Sequence, residues 1–165
     1  MIKLLILDVD GVLTTGELPY SATGNEVKSF NVLDGMAIKL WQAAGGRLAI
    51  ISGRQTPAVE ARAKDLGIDS VRQGVIDKLP AYEAAVRDAQ ATDAETAVIG
   101  DDLPELPMLR RCGYPVAVAN ATPAAKRASR YITRRRGGDG AVAEAIERLL
   151  RENGTWSKVT ARWNA

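Results

Sequence analysis

Four short polar clusters in this chain carry groups able to handle a phosphoryl group. They are Asp8-Val9-Asp10-Gly11, Ser52-Gly53-Arg54, Lys78 and Gly100-Asp101-Asp102. Asp8, Asp10 and Asp101 offer hard oxygen ligands, and with no histidine and one cysteine in the chain Mg²⁺ is the natural metal. Three carboxylates brought together would repel one another and raise each other's pKa values, a strain that a divalent cation relieves. With that charge balanced, one carboxylate can attack phosphorus and form an aspartyl phosphate. A second can protonate the leaving alcohol and then take a proton from water. Ser52 and Lys78 would hold the phosphoryl oxygens, the lysine offsetting negative charge around the metal.

What is missing narrows the chemistry further. Without histidine there is no Ser-His-Asp or Cys-His hydrolase, no phosphohistidine and no His-ligated zinc. Cys112 alone forms no intrachain disulfide, and Val118 stands where a cysteine phosphatase needs arginine six residues on. A length of 165 residues with 46% hydrophobic and 25% charged residues suits one globular domain, residues 1–165. A net charge of +2 argues for neither nucleic acid nor membrane as partner. Asp8 cuts the opening apolar run well short of an export signal, so the cytoplasm is the expected compartment.

The elements that must position these groups alternate along the chain. Leu4–Leu7, Leu48–Ile51, Thr96–Ile99 and Pro115–Val118 are short apolar runs, as expected of strands buried on both faces. Helical patterns lie between them, near 35–44, 57–66, 78–89 and 103–111, with a last one near 140–152. This alternation predicts an α/β fold, a doubly wound, Rossmann-like parallel sheet flanked by helices. Ligands bind such sheets beyond the C-terminal ends of the strands, where the four polar clusters fall. Residues 13–32 break the pattern with Gly16, Pro19, Gly24 and Asn25 among short β-prone pieces, which predicts a β-hairpin flap. A tail follows the last helix at 154–165.

Asp8-Val9-Asp10-Gly11-Val12-Leu13-Thr14 resembles the DxDGxxT signature of haloacid dehalogenase-type phosphatases. Ser52, Lys78 and Gly100-Asp101-Asp102 are similar to that superfamily's three later motifs, in order and approximate spacing. The resemblance implies that Asp8 is the nucleophile and Asp10 the general acid/base. It implies Mg²⁺ held by Asp8, the main-chain carbonyl of Asp10, and Asp101. Asp102 would be a supporting acid, orienting either water or Lys78.

A narrower resemblance covers nearly the whole chain. Residues 24–32, Asp34-Gly35, Ser52-Gly53-Arg54, Gly100 to Pro104 and Gly137 to Val142 look like the capless 3-deoxy-D-manno-octulosonate 8-phosphate phosphatases. That branch implies a phosphorylated sugar acid as substrate, no cap domain, and a homotetramer in which one subunit's flap helps close a neighbour's active site. It marks Gly53, Arg54, Asn31 and Asp34 as substrate-binding or supporting residues. Leu33, Thr15 and Ala143 depart from it, since members often carry Arg, Asp and Arg there. Two cationic groups that could meet a substrate carboxylate are thereby lost, which leaves open another nonulosonate or sugar phosphate as substrate. A non-catalytic oligomerisation module is the alternative outside enzymology, and five converging polar groups argue against it.

The remaining features have plainer readings. Arg134-Arg135-Arg136 is a solvated or subunit-facing run, or a cationic partner for substrate across an interface. Gly137-Gly138-Asp139-Gly140 marks a tight turn or a close backbone approach. Trp156 and Trp163 strap the tail to its own subunit or insert into a neighbour. Cys112, Met36, Met108 and Trp41 fit core positions.

Overall fold

Four consecutive apolar residues without polar alternation need burial on both faces. Leu4–Leu7 forms a strand (β1) in which each residue is 1% exposed or less. The structure, a computed structural model, describes residues 1–164; Ala165, the end of the tail at 154–165, lies outside the described residues. After β1 come α1 (Val32–Ala43), β2 (Arg47–Ile51), α2 (Pro57–Leu66), β3 (Ser70–Arg72) and α3 (Lys78–Asp88). The second half supplies β4 (Thr96–Gly100), α4 (Leu106–Leu109), β5 (Tyr114–Ala117) and α5 (Pro123–Arg127). It ends with β6 (Tyr131–Ile132), α6 (Ala141–Glu152) and α7 (Trp156–Thr160). The strands form one parallel sheet in the order β3-β2-β1-β4-β5-β6, the doubly wound arrangement expected.

Local chemistry sets the helix ends. Thr56 caps α2 by accepting from the Val59 amide, Pro57 opens the helix, and Gly67 closes it at φ +66°. Asn31 accepts from the Leu33 amide at 2.8 Å to start α1, and Asp77 does the same for α3. Helix α6 buries Val142, Ala145, Ile146, Leu149 and Leu150, a stripe at helical spacing, and lies along α1.

Four expectations need correction. The 13–32 segment is not a hairpin of paired strands; a single antiparallel bridge joins Tyr20 to Glu26, and the rest is irregular. The pattern near 103–111 is a 3₁₀ turn at Leu103–Glu105 followed by the short α4, because Pro104 and Pro107 lack the amides a continuous helix needs. Met36 is 41% exposed on α1, whereas Met108 and Trp41 are buried. Strand β6 and helices α5 and α7 add to the expected elements; β6 is two residues long and α5 and α7 are five each, too short for a periodic signal.

Leu5 is fully buried in the strand at the sheet's centre. Replacing it (Leu5→Ala) is expected to lower unfolding free energy by roughly 2–5 kcal/mol, measured by urea titration with an unchanged m value.

Candidate active site

The chain winds from β1 towards β2 on one side and from β4 towards β5 on the other. The crevice between the C-terminal ends of β1 and β4 is therefore the topological switch point. Leu7 pairs with Ile99, and the Asp8 amide donates to the Ile99 carbonyl at 3.2 Å. This register brings Asp8, just past β1, beside Asp101, just past β4. Ser52 follows β2, and Lys78 is the first residue of α3.

Lys78 is the electrostatic centre of the site. A cation at a helix N-terminus works against the helix dipole, so its placement needs compensation. Its Nζ lies 2.5 Å from Asp8 Oδ1 and 2.5 Å from Glu105 Oε1, with all three side chains buried. Burial alone would lower the Lys78 pKa; the two carboxylates outweigh it and raise it. The other Glu105 oxygen accepts from the Asp102 amide at 2.9 Å. Of the two roles expected for Asp102, orienting Lys78 therefore belongs to Glu105, while the Asp102 side chain is exposed on the turn. Sequence reasoning missed Glu105, although an acid three residues after Asp102 is capping-box spacing that could have drawn notice.

Carboxylate oxygens of Asp8, Asp101 and Glu105 all lie within 4.8 Å of one another. Burial, then the charges of Asp8, Glu105 and Asp102, push Asp101 up to about 8. Burial likewise pushes Asp8 up to about 7, against the pull of Lys78. Both Glu105 oxygens are already engaged, so Asp8 and Asp101 are the carboxylates left to meet a cation. An all-oxygen, charge-frustrated set of this kind fits a hard divalent ion. Gly11, at φ +90°, allows the close approach: a Cβ there would stand 2.1 Å from Asp101 Oδ2. Asp10 lies outside this cluster, and its carboxylate pairs instead with Lys28 of the flap segment.

The Ser52 hydroxyl is buried and lacks a hydrogen-bond partner. Its backbone is fixed on both sides, the amide to the Arg72 carbonyl at 2.9 Å and the carbonyl to the Val75 amide at 3.0 Å. A rigid, unpaired donor of this sort suits an oxygen brought by a ligand. Gly53 is exposed, and a Cβ there would meet just the Val75 carbonyl at 3.7 Å. Arg54 is exposed and bonds Glu26 at 2.5 Å and the Tyr20 hydroxyl at 3.4 Å.

The turn carrying Asp10 and Gly11 is braced from outside. Thr14 Oγ1 accepts from the Gly11 and Gly16 amides, both at 3.3 Å. Asn120, which follows β5, donates to the Gly11 carbonyl at 3.1 Å and accepts from the Gly137 amide at 2.6 Å. A Cβ on Gly137 would stand 1.7 Å from the Gly11 carbonyl oxygen, so the 137–140 glycines mark a close approach of backbone to backbone. Asn31 adds a bond to the Gly138 carbonyl at 3.1 Å. Asp34 is buried and accepts from the Ala143 amide at 2.8 Å, tying α1 to the start of α6; burial pushes its pKa up to about 6.

Arg134, Arg135 and Arg136 are exposed, and the first two place their amides on Glu144. Trp156 packs on its own chain, with Arg151 over its ring at 4.6 Å, while Trp163 is 46% exposed. Leu33 and Ala143 line a groove between α1 and α6. Among the described residues, no helix is long and apolar enough to cross a membrane.

Comparison with known proteins places this geometry. Residues 70–146 match a family described as haloacid dehalogenase-like hydrolase. The 3-deoxy-D-manno-octulosonate 8-phosphate phosphatase KdsC of Haemophilus influenzae is 40% identical over 153 residues, covering 93% of this chain and 85% of the relative. The same-named phosphatase of Moraxella catarrhalis, solved with magnesium ion, phosphate ion and KDO, superposes with a TM-score of 0.95 at 38% identity, covering 98% and 93% of the two chains. That of Yersinia pestis gives 0.92 at 40% identity, covering 94% and 84%.

The raised carboxylates have a thermodynamic consequence. Without a cation, the folded chain holds protons on Asp8 and Asp101 above the ordinary 3.8 at which an unfolded chain releases them. Between about pH 4 and the folded values of about 7 and about 8, stability therefore falls as pH rises. Calorimetry in chelator should show Tm dropping across this window. Added Mg²⁺ should raise Tm more at pH 8 than at pH 5, where protons compete for the same oxygens.

Proposed function

The chain belongs to the haloacid dehalogenase-like hydrolases and is a phosphomonoester hydrolase, and from that premise we propose that it hydrolyses 3-deoxy-D-manno-octulosonate 8-phosphate with Mg²⁺ through an aspartyl phosphate on Asp8. The observation that carries this reading is the buried crevice in which Asp8, ion-paired to Lys78, faces the same rim as the unpartnered Ser52 hydroxyl. The KdsC relatives are named as phosphatases of this sugar phosphate, which supports the choice of substrate.

Asp8 is the nucleophile. Its carboxylate oxygen bonds to phosphorus as the ester P–O bond breaks, and the Asp10 carboxyl gives its proton to the departing alcohol oxygen. Water then attacks phosphorus and yields a proton to Asp10; the Asp8 O–P bond breaks, phosphate leaves, and both side chains return to their starting state. Ser52 and Lys78 hold the non-bridging phosphoryl oxygens, and Glu105 holds Lys78 in place. Asp8, Asp101 and the Asp10 main-chain carbonyl would hold Mg²⁺, which when bound neutralises carboxylate charge and polarises the phosphoryl group.

The enzyme works in the cytoplasm as a single domain without a cap, and four copies assemble so that one subunit's flap closes a neighbour's site. In support, Leu18, Tyr20 and Val27 of the flap and Val32, Leu33 and Met36 beside it each expose 40% or more of their surface. Sedimentation equilibrium should give four times the chain mass, and a monomer would remove the shared site.

Phosphate release from a panel of sugar phosphates tests the activity itself. The 8-phosphate of 3-deoxy-D-manno-octulosonate should be turned over best, in a strictly Mg²⁺-dependent way. Asp8→Asn should lose at least about 10³-fold in kcat, and Ser52→Ala about 10²-fold. Preference for another ester would retain the chemistry and point to Leu33 and Ala143, where cations are missing. No Mg²⁺-dependent turnover at all would favour the non-catalytic module.

A further inference from the structure

The flap segment reaches the active site through a ladder of alternating charges. Arg54 Nη2 lies 2.5 Å from Glu26 Oε2, Glu26 Oε1 lies 2.5 Å from Lys28 Nζ, and Lys28 Nζ pairs with Asp10 Oδ1. Just 3% of the Lys28 side chain is exposed. Burying an ammonium is costly unless its partners are well placed, and here two carboxylates are. Within the flap, Tyr20 and Glu26 form one antiparallel bridge, the Val27 amide donates to the Pro19 carbonyl at 2.9 Å and the Ser21 amide to the Asn25 carbonyl at 2.8 Å, contacts that tie this stretch to itself and not to the turn after β1. The contact between Lys28 and Asp10 therefore anchors the flap to the one carboxylate of the site that stands outside the Asp8–Asp101–Glu105 cluster.

Asp10 also needs an anchor. It sits on a turn two residues past Asp8, its side chain is 21% exposed, and neither Lys78 nor the carboxylate cluster holds it. A general acid must meet the leaving oxygen at hydrogen-bond distance and in a fixed direction, and a misplaced one loses much of its effect. Lys28 engages Oδ1 and leaves Oδ2 to carry the transferred proton.

We infer that Lys28 is the positioning residue of Asp10, itself held by Glu26 and Arg54, so that docking of the flap and alignment of the general acid/base are one event. The inference rests on the proposed reading of Asp10 and adds to it. It extends the site by two residues, Glu26 and Lys28, and assigns Arg54 to the support of the flap.

First-turnover cleavage rates on two esters test it. One is the sugar phosphate turned over best, whose alcohol must be protonated to leave. The other is p-nitrophenyl phosphate, whose leaving group departs as a stable anion. Asp10→Asn should slow the sugar ester by about 10²-fold or more while sparing the aryl ester. Lys28→Met should show the same selectivity, at least about 10-fold, in the first-turnover rate at saturating substrate rather than in KM, and add little in the Asp10→Asn background. Lys28→Arg should recover part of the loss. Glu26→Gln, which keeps Lys28 in the chain, should show the same selectivity at smaller amplitude and decides the matter if Lys28→Met fails to fold. Equal slowing of both esters by Lys28→Met, a change in KM alone, or full additivity with Asp10→Asn would overturn the inference and leave Asp10 as acid. If Asp10→Asn itself treats both esters alike, the acid/base reading of Asp10 falls, and the inference with it.

Discussion

One buried ammonium makes the functional end of this sheet possible. Asp8, Asp101 and Glu105 bring three carboxylates within 4.8 Å in a place largely closed to water. Lys78 bridges two of them, and the set, with all four groups ionised, keeps a formal charge of two minus. That remainder is what a divalent cation neutralises, and with burial, the larger cause, it drives Asp101 towards its protonated form when no cation is there. Removing Lys78 would leave buried charge uncompensated, a loss of about 3–5 kcal/mol by general experience with buried pairs. Glu105 is thus as much a part of the site as Asp8, since it fixes the ammonium that both carboxylates share.

The second constraint is steric. The turn after β1 must expose Asp10 while letting Asp101 press against Gly11, which leaves no room for a side chain there. Such a turn is held from behind by chain that arrives much later. Asn120 clamps the Gly11 carbonyl to the Gly137 amide, and Asn31 reaches the Gly138 carbonyl while capping α1. Asp34 then joins α1 to α6. The two helices that pack side by side on the sheet are thereby tied to the loop that carries the first motif. Fold stability and site geometry share these contacts.

The sheet and its longer helices were legible in the sequence because burial on two faces demands unbroken apolar runs. Leu4–Leu7 and Pro57–Leu66 stand where their patterns put them. Asp8, Ser52, Lys78 and Asp101 were legible because each follows a run or opens a helix on the same rim. Glu105 was not, since it lies beyond the 3₁₀ turn and acts through Lys78. Lys28 and Glu26 lie two residues apart and pair with each other, but the contacts that bring them to the site, with Asp10 and Arg54, span 18 and 28 residues, and no local period encodes those. The flap misled for a related reason, because β-prone residues without a partner strand form no ladder. Met36 sits at core spacing, yet α1 turns that position outward, beside exposed Leu33.

The central claim is a covalent phosphoryl group on Asp8, and chemical trapping reaches it most directly. The enzyme would be mixed with excess sugar phosphate and Mg²⁺, quenched in acid within the first turnover, reduced with borohydride and mapped by peptide mass. An aspartyl phosphate is reduced to homoserine, so the account predicts homoserine in place of Asp8, formed when substrate is present and absent without it. Turnover with Asp8 recovered unmodified under conditions that trap a known aspartyl phosphate, or reduction at Asp10 or Asp101 instead, would contradict it.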